Sequence, residues 1–251
     1  MTVHAMEIAS RSHVGLLRKK NQDYLSALSN LGIIVLGDGM GGHCAGEVAS
    51  RIAVDAASEN LLPAQQDDTA DDLESLLRIG EAAEVANQAI FAEVEKHPEN
   101  QGMGTTFVAA IFREGRVFYS HVGDSRLYRI RAGRIRSLTR DHSLIQELVD
   151  TGVFASRAAA HHAGVKDNVL TRSLGLDPDV EVDVGDCLLD AGDIYLACSD
   201  GLCGKVPDKE IAHILRDKHG DLELMAENLL NAALDAGGRD NISLILARKK
   251  T

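Results

Sequence analysis

Apolar residues recur along this chain with two different periods. An aliphatic run over 31–38, LGIIVLGD, is bounded by glycine and predicts a buried strand. From Glu47 the apolar positions fall at 48, 49, 52, 53, 56 and 57, the period of a helix. A second long helix is predicted over 72–96, stopping before His97-Pro98. Strand-like stretches follow at 105–112, 116–122 and 126–130, with Ala132-Gly133 as a hairpin turn into 134–138. Ser143 and Gln146 have capping-box spacing and predict a short helix through Val149. Residues 151–169 have no strong period and predict an irregular excursion with a short helix. Strands return at 192–199 and 241–247. Between them two amphipathic helices are predicted, over 208–218 and 221–236. The second puts Leu222, Met225, Ala226, Leu229, Leu230 and Ala233 on one face and ends at Gly237-Gly238.

This order is not the strand-helix alternation of a parallel sheet, so it predicts antiparallel sheets with helices packed outside. No repeat and no linker-like stretch interrupts the 251 residues, which read as a single domain. Aromatic residues are only 4% and Trp is absent, so aliphatic side chains must build the core.

The formal net charge is −12, which argues against a nucleic-acid partner because phosphate backbones attract Lys and Arg. Phosphate chemistry stays open if cations supply the positive charge. Residues 59–99 hold eleven acids and two bases, the pattern of a solvated outer helix face. Residues 125–140 hold six arginines and no acid, either the polar face of a hairpin or a basic surface for acidic phosphoproteins. No apolar run is long enough for a membrane helix, and the first twenty residues do not read as a leader. A cytoplasmic protein is expected. Its four cysteines form no CxxC pair and read as reduced thiols.

The chemistry concentrates where strands end. Asp38, Asp124 and Asp200 each follow a strand in a tight turn, and Asp240 precedes one. Neighbouring antiparallel strands bring one strand's exit beside the other's start, so Asp200 and Asp240 can meet at one end of a sheet. Each Asp alone could be a turn residue. Carboxylates gathered at one edge repel each other unless a cation neutralises them, and an oxygen-only set suits Mg²⁺ or Mn²⁺ rather than zinc. Residues 37–42 also satisfy GxGxxG, the dinucleotide fingerprint. Asp38 inside that turn would face the pyrophosphate where bare N–H groups are needed, which counts against that alternative.

Seven segments in order resemble the motif set of the bacterial metal-dependent protein phosphatases of the protein phosphatase 2C class. They are Arg18-Lys19-Lys20-Asn21-Gln22-Asp23, Asp38-Gly39-Met40-Gly41-Gly42-His43, Gly102-Met103-Gly104-Thr105-Thr106, Val122-Gly123-Asp124-Ser125-Arg126, Asp141-His142-Ser143, Cys198-Ser199-Asp200-Gly201-Leu202 and Gly237-Gly238-Arg239-Asp240-Asn241. The match runs from about residue 15 to residue 246, nearly the whole chain.

The resemblance implies an α+β fold, a four-layer α-β-β-α sandwich of two packed antiparallel sheets flanked by helices. It implies hydrolysis of phosphoserine and phosphothreonine in proteins by a hydroxide shared between two Mn²⁺ or Mg²⁺ ions. Asp38 would bridge the ions, the Gly39 carbonyl would bind one, and Asp200 and Asp240 the other. Asp124, with Asp200, would hold a weaker third ion; the alternative is a turn ordered by an Asp124–Arg126 pair. Asp23 would accept hydrogen bonds from water in the second layer around the ions, and Arg18 would grip the substrate phosphate. His43 is the candidate acid for the leaving oxygen, with His161 and His162 as rivals. Expected partners are phosphorylated proteins and a cognate serine/threonine kinase whose signalling the enzyme reverses; a monomer is expected. A catalytically weak phosphoprotein-binding regulator is the alternative.

The segment 144–175 corresponds to the family's flap. Here the chain departs from the pattern: His161-His162-Ala163-Gly164 stands where the family has His-Pro followed by Arg-Asn, and Cys203 stands where it has Thr.

Overall fold

The computed structural model describes residues 6–41, 45–66, 70–113, 115–217 and 219–249. Eleven strands and seven α-helices are found among them, in chain order β1 (Met6–His13), β2 (Asp23–Leu28), β3 (Ile33–Met40), α1 (Gly46–Gln66), α2 (Asp72–Lys96), β4 (Gly104–Thr105), β5 (Phe107–Arg113), β6 (Arg116–Val122), β7 (Arg126–Arg131), β8 (Arg134–Ser137), α3 (Leu144–Asp150), α4 (Arg157–His162), β9 (Asp183–Leu188), β10 (Ile194–Cys198), α5 (Asp200–Cys203), α6 (Asp208–Ile214), α7 (Leu222–Asp235) and β11 (Ile242–Lys249).

The strands form two sheets, ordered β1-β11-β10-β7-β8 and β2-β3-β5-β6-β9, with the two-residue β4 on β3. Every strand pair among the described residues is antiparallel. That removes the dinucleotide alternative, whose fingerprint needs a parallel βαβ unit.

Three apolar layers hold the sandwich together. Ile34, Leu36, Val108, Ala110, Leu127, Tyr195 and Ile245 fill the space between the sheets. Ile33, Val35, Ala109 and Ile111 point the other way, onto Ala49, Ala53, Ala57, Ile79, Ala83 and Ile90 of α1 and α2. Tyr128, Ile130, Leu196 and Leu244 meet Ile211 of α6 and the buried face of α7. The expected α+β four-layer sandwich is therefore what the chain forms. Central strands buried on both faces read as continuous aliphatic runs, which is why 31–38 was legible. Alanines at the α1–α2 contact let those helices lie close on the sheet.

Among the described residues, no helix is long and apolar enough to cross a membrane.

Local details depart from expectation at several points. β1, β2 and β9 carry no clear apolar alternation and were not anticipated. Two of the three, β2 and β9, are edge strands of one sheet, and β1 is an edge of the other, so solvent accepts mixed side chains there. The helix expected over 208–218 ends at Ile214. Ser143 does precede α3, but its side chain makes no cap hydrogen bond and Gln146 bonds Asp150 instead, so the capping box is not formed. The Ala132-Gly133 hairpin turn is present, with φ of 50° and 72°.

Candidate metal centre

Each predicted aspartate is carried to one end of the sandwich by a different strand. Asp38 lies near the end of β3, directly opposite Asp23 at the start of β2. Asp124 sits in the turn after β6, where Gly123 has φ of 103°. Asp200 follows β10, and Asp240 precedes β11, its antiparallel neighbour, as the strand-end argument requires.

A cleft of about 230 Å³ is lined by Arg18, Asp38, Gly39, Asp124, Asp200 and Asp240. Gln22, Met40, Gly41, Thr106 and Asn241 complete its wall, with Asn168 and Leu170 from the excursion after α4. Asp23 lies beneath, 7% exposed, with Oδ2 accepting from Ser199 Oγ at 2.9 Å and Oδ1 without a partner. Of the predicted residues, the structure thus joins Arg18, Asp23, Asp38, Gly39, Asp124, Asp200 and Asp240. His43 lies outside the described residues. His161 lines a neighbouring cavity of about 170 Å³ that shares Asp124 and Asp200, and its Nε2 is 2.7 Å from Asp167. His162 is exposed. A larger groove of about 780 Å³, between α6 and α7, holds none of these acids.

Backbone and polar contacts hold the acids in place. The Asp38 N–H donates to Thr106 Oγ1 at 3.0 Å, and the Thr106 N–H donates to the Asp38 carbonyl at 2.9 Å. Gly39 has no room for a side chain, since a Cβ there would meet the Gly46 carbonyl oxygen at 2.1 Å. Asn241, 4% exposed, donates to the carbonyls of Val14 and Lys20, and accepts from the Gln22 N–H. It thereby fastens the loop bearing Arg18 to β11. Asn241 and Thr106 belong to the motifs, yet their role as clamps was not anticipated. Their signal was only adjacency to Asp240 and to the glycine-rich loop.

Electrostatics mark the site as built for cations. Burial holds the Asp38 carboxyl well above its ordinary range, and the charges of Asp23, Asp200, Asp124 and Asp240 raise it further. Burial pushes Asp23 up to about 6 and Asp124 up to about 7, with Asp200 adding to both. Asp200 is also raised, by burial and then by Asp240. Arg18 Nη2 donates to Asp240 Oδ2 at 2.7 Å, and the charges of Lys205, Arg18 and Arg126 offset only part of the rise at Asp200. Such a set is stable at neutral pH only if it stays partly protonated or if cations join it. All-oxygen donors, a partnerless buried Asp23 Oδ1 and a tightly packed Gly39 fit hard divalent ions.

Arg126 does not pair with Asp124. Its Nε and Nη2 grip the two oxygens of Asp141 at 2.7 Å each, so Asp124 is left facing the cleft. His142 fixes the turn before Asp124. Its N–H donates to the Gly123 carbonyl at 2.9 Å, and the Gly123 N–H donates to His142 Nδ1 at 3.2 Å. His121, His142 and Asp183 also place ligand atoms within 4.8 Å of one another. Arg172 Nη1 already bonds Asp183 at 3.0 Å and lies 3.4 Å from His142 Nε2, so a guanidinium fills the role of a cation there.

A cleft lined by several carboxylates and one arginine, at the end of an antiparallel α-β-β-α sandwich, offers the oxygen donors and the phosphate-binding cation that a metal-dependent phosphohydrolase needs. The chain belongs to the protein phosphatase 2C family, whose profile matches residues 11–236. It is a serine/threonine protein phosphatase of that type. It is 38% identical over 247 residues to the serine/threonine phosphatase stp of Listeria welshimeri, covering 97% of this chain and 96% of that one. The crystal structure of the Mycobacterium tuberculosis serine/threonine phosphatase PstP/Ppp superposes with a TM-score of 0.87 at 36% identity, covering 98% and 99% of the two chains. A structure of the PstP catalytic domain in complex with 2 manganese ions has a TM-score of 0.83 at 36% identity, covering 97% of each chain.

Proposed function

We propose that this chain hydrolyses phosphoserine and phosphothreonine in proteins at the aspartate cleft, using Mn²⁺ or Mg²⁺. The observation that carries this reading is the convergence of Asp38, Asp124, Asp200 and Asp240 with Arg18 on one cleft. Asp38, the Gly39 carbonyl, Asp200 and Asp240 would hold two core ions, and Asp124 with Asp200 a weaker third. The 2 manganese ions in the PstP catalytic domain support divalent-ion binding by a domain of this fold. Bound there, divalent ions supply Lewis-acid charge that acidifies water and screens the phosphoryl oxygens.

The chain's own groups do the rest. Arg18 stands at the cleft mouth, where its planar fork can take two phosphoryl oxygens. Asp23 Oδ1 is a buried free acceptor under Asp38, placed to accept a hydrogen bond from the attacking water. The departing serine or threonine oxygen needs a proton, which we assign to His43. The pairing of β1 with β11 joins the two ends of the chain, which supports one catalytic domain over 1–251, with 144–175 as a flap beside the cleft. In this reading the enzyme is a cytoplasmic monomer that opposes a serine/threonine kinase.

The test uses the full chain with a phosphothreonine peptide and with p-nitrophenyl phosphate, with Mn²⁺, with Mg²⁺ and with chelator. Turnover should require the ion. His43→Gln should slow the peptide far more than p-nitrophenyl phosphate, because p-nitrophenolate leaves without a proton. Phosphopeptide binding without turnover at saturating ion would make the protein a binding regulator instead.

A further inference from the structure

The β7–β8 hairpin carries an unbalanced group of arginines that catalysis does not use. Register pairs Arg129 with Arg136 and Arg131 with Arg134, so all four share one face of the hairpin. Leu127 and Leu138, on the same face, pack into the layer between the sheets. Tyr128, Ile130 and Ile135 point the opposite way, to the layer under α6 and α7. The four arginines therefore line the open flank of the sandwich, at the free edge of β8.

Among the described residues, carboxylates neutralise only one of them. Arg131 bonds Asp193 through Nε and Nη2 and lies 2.6 Å from Asp190. The flanking arginines are satisfied too, Arg126 by Asp141 and Arg140 by Asp150. Among the described residues, no carboxylate bonds Arg129, Arg134 or Arg136. Asp183 across the gap is held by Arg172. Arg134 and Arg136 are exposed, whereas Arg129 is half-buried and its Nε is sealed from water with no acceptor. On the facing sheet the Tyr119 ring lies over Gly185, where a Cβ would meet its hydroxyl at 2.5 Å. Burial and then Cys187 hold the Tyr119 hydroxyl protonated, above its ordinary range, while the charges of Arg136 and Arg129 act the other way.

Like charges placed directly opposite on a strand pair destabilise it, and a buried donor without an acceptor costs about 1–3 kcal/mol. Arginines that only discourage edge pairing need no buried Nε. An oxyanion between the guanidiniums would relieve the like-charge cost. We propose that Arg129, Arg134 and Arg136 form a second oxyanion site, which takes a phosphate-class group, with the Tyr119 hydroxyl as a further donor. Guanidinium forks suit such a tetrahedral anion.

The anion has two sources. One is free inorganic phosphate. The other is a second phosphoryl group on the substrate protein, and that source rests on the phosphatase reading above. Arg129 is three residues along β7 from Arg126, which lines the cavity beside Asp124, and the odd offset puts the two side chains on opposite faces of the sheet, so a doubly phosphorylated substrate would reach both only by passing round the free edge of β8.

The experiment follows the Arg129 Nε–H resonance by NMR in the Mg²⁺-loaded full chain. Inorganic phosphate in the millimolar range should shift it, and chloride at equal ionic strength should not. The shift should vanish in Arg134→Gln/Arg136→Gln, whose exposed positions spare the fold. A second arm compares doubly and singly phosphorylated peptides. If the substrate is the source, the double variant should lose at least about threefold of its kcat/KM preference for the doubly phosphorylated peptide, the scale of an exposed charge contact. If free phosphate is the source, the resonance shifts while that preference is unchanged. Turnover of p-nitrophenyl phosphate should be unaffected in either case. A resonance that ignores phosphate, or an equal shift in the double variant, would overturn the site, whatever the outcome of the catalytic test.

Discussion

Replacing Asp124 with Asn should stabilise the ion-free protein at alkaline pH. Burial, then Asp200 and Asp141, lift its carboxyl from the ordinary 3.8 to about 7. Above that pH the ionised form costs the fold up to about 4 kcal/mol, at about 1.4 kcal/mol for each pH unit separating the folded and unfolded pKa values. Water at the cleft mouth screens part of this, so we expect about 2 kcal/mol to be recovered by the neutral amide. For a chain of this size that is a rise in Tm of roughly 4–8 °C. The pH course has a definite sign. At acid pH, below the unfolded pKa, the carboxyl is protonated in both states and the variant gains nothing. As pH rises, the unfolded chain ionises first and wild-type stability falls until the folded pKa is passed. The gap should therefore open from about pH 4 and be complete above about pH 7. Scanning calorimetry with chelator, across that range, reads it directly. With saturating Mn²⁺ the order should reverse, because only the wild type gains from an ion at this carboxylate. An ion-free variant no more stable than wild type at about pH 8 would refute the reasoning, as would a gap independent of pH.

Three further outcomes are expected. Asp38→Asn should lower kcat by at least about 10³-fold even at saturating Mn²⁺, since it removes the carboxylate assigned to both core ions; near-wild-type turnover would displace the proposed centre. Arg18→Ala should raise KM for phosphopeptides, with ion affinity by titration calorimetry little changed; weakened ion binding with unchanged KM would make Arg18 a partner of Asp240 only. Asn241→Ala should cost about 2–4 kcal/mol by denaturant unfolding, because Val14, Lys20 and Gln22 each lose a hydrogen-bond partner in a nearly buried position; an unchanged midpoint would show that other contacts hold the loop.

The departures from the family pattern fall on the flap side of the cleft, not on the acids. Cys203 lines the smaller cavity with Arg157 and His161, and its contact with Cys198, then burial, keep its thiol well above the usual range. It is thus a packing thiol rather than a reactive one. Arg157 Nη1 grips Asp141 at 2.6 Å, so α4 is tethered to the residue that also holds Arg126. In the proposed reading, a change of sequence in the 144–175 segment would alter substrate fit without moving the aspartates.

The sequence by itself determined the parts governed by local physics. Aliphatic runs marked β3, β5, β6, β10 and β11, since strands buried on both faces need unbroken apolar character. The helical period set α2 at residues 72–96 and the buried face of α7 residue by residue. Glycine beside Asp38, Asp124 and Asp200 marked the strand-end turns. Only the tertiary structure decided what depends on distant partners. Edge strands β1, β2 and β9 owe their form to neighbours, not to their own pattern. Arg126 lay next but one to Asp124 in sequence, yet its planar fork found two oxygens on Asp141, fifteen residues on. The raised carboxyl of Asp38 likewise comes from burial and from acids on other strands, a property no local window contains. The arginines of 125–140 read alike in the chain. Register and the second sheet separated those with carboxylates from Arg129, Arg134 and Arg136, because charge balance is a property of three-dimensional neighbours.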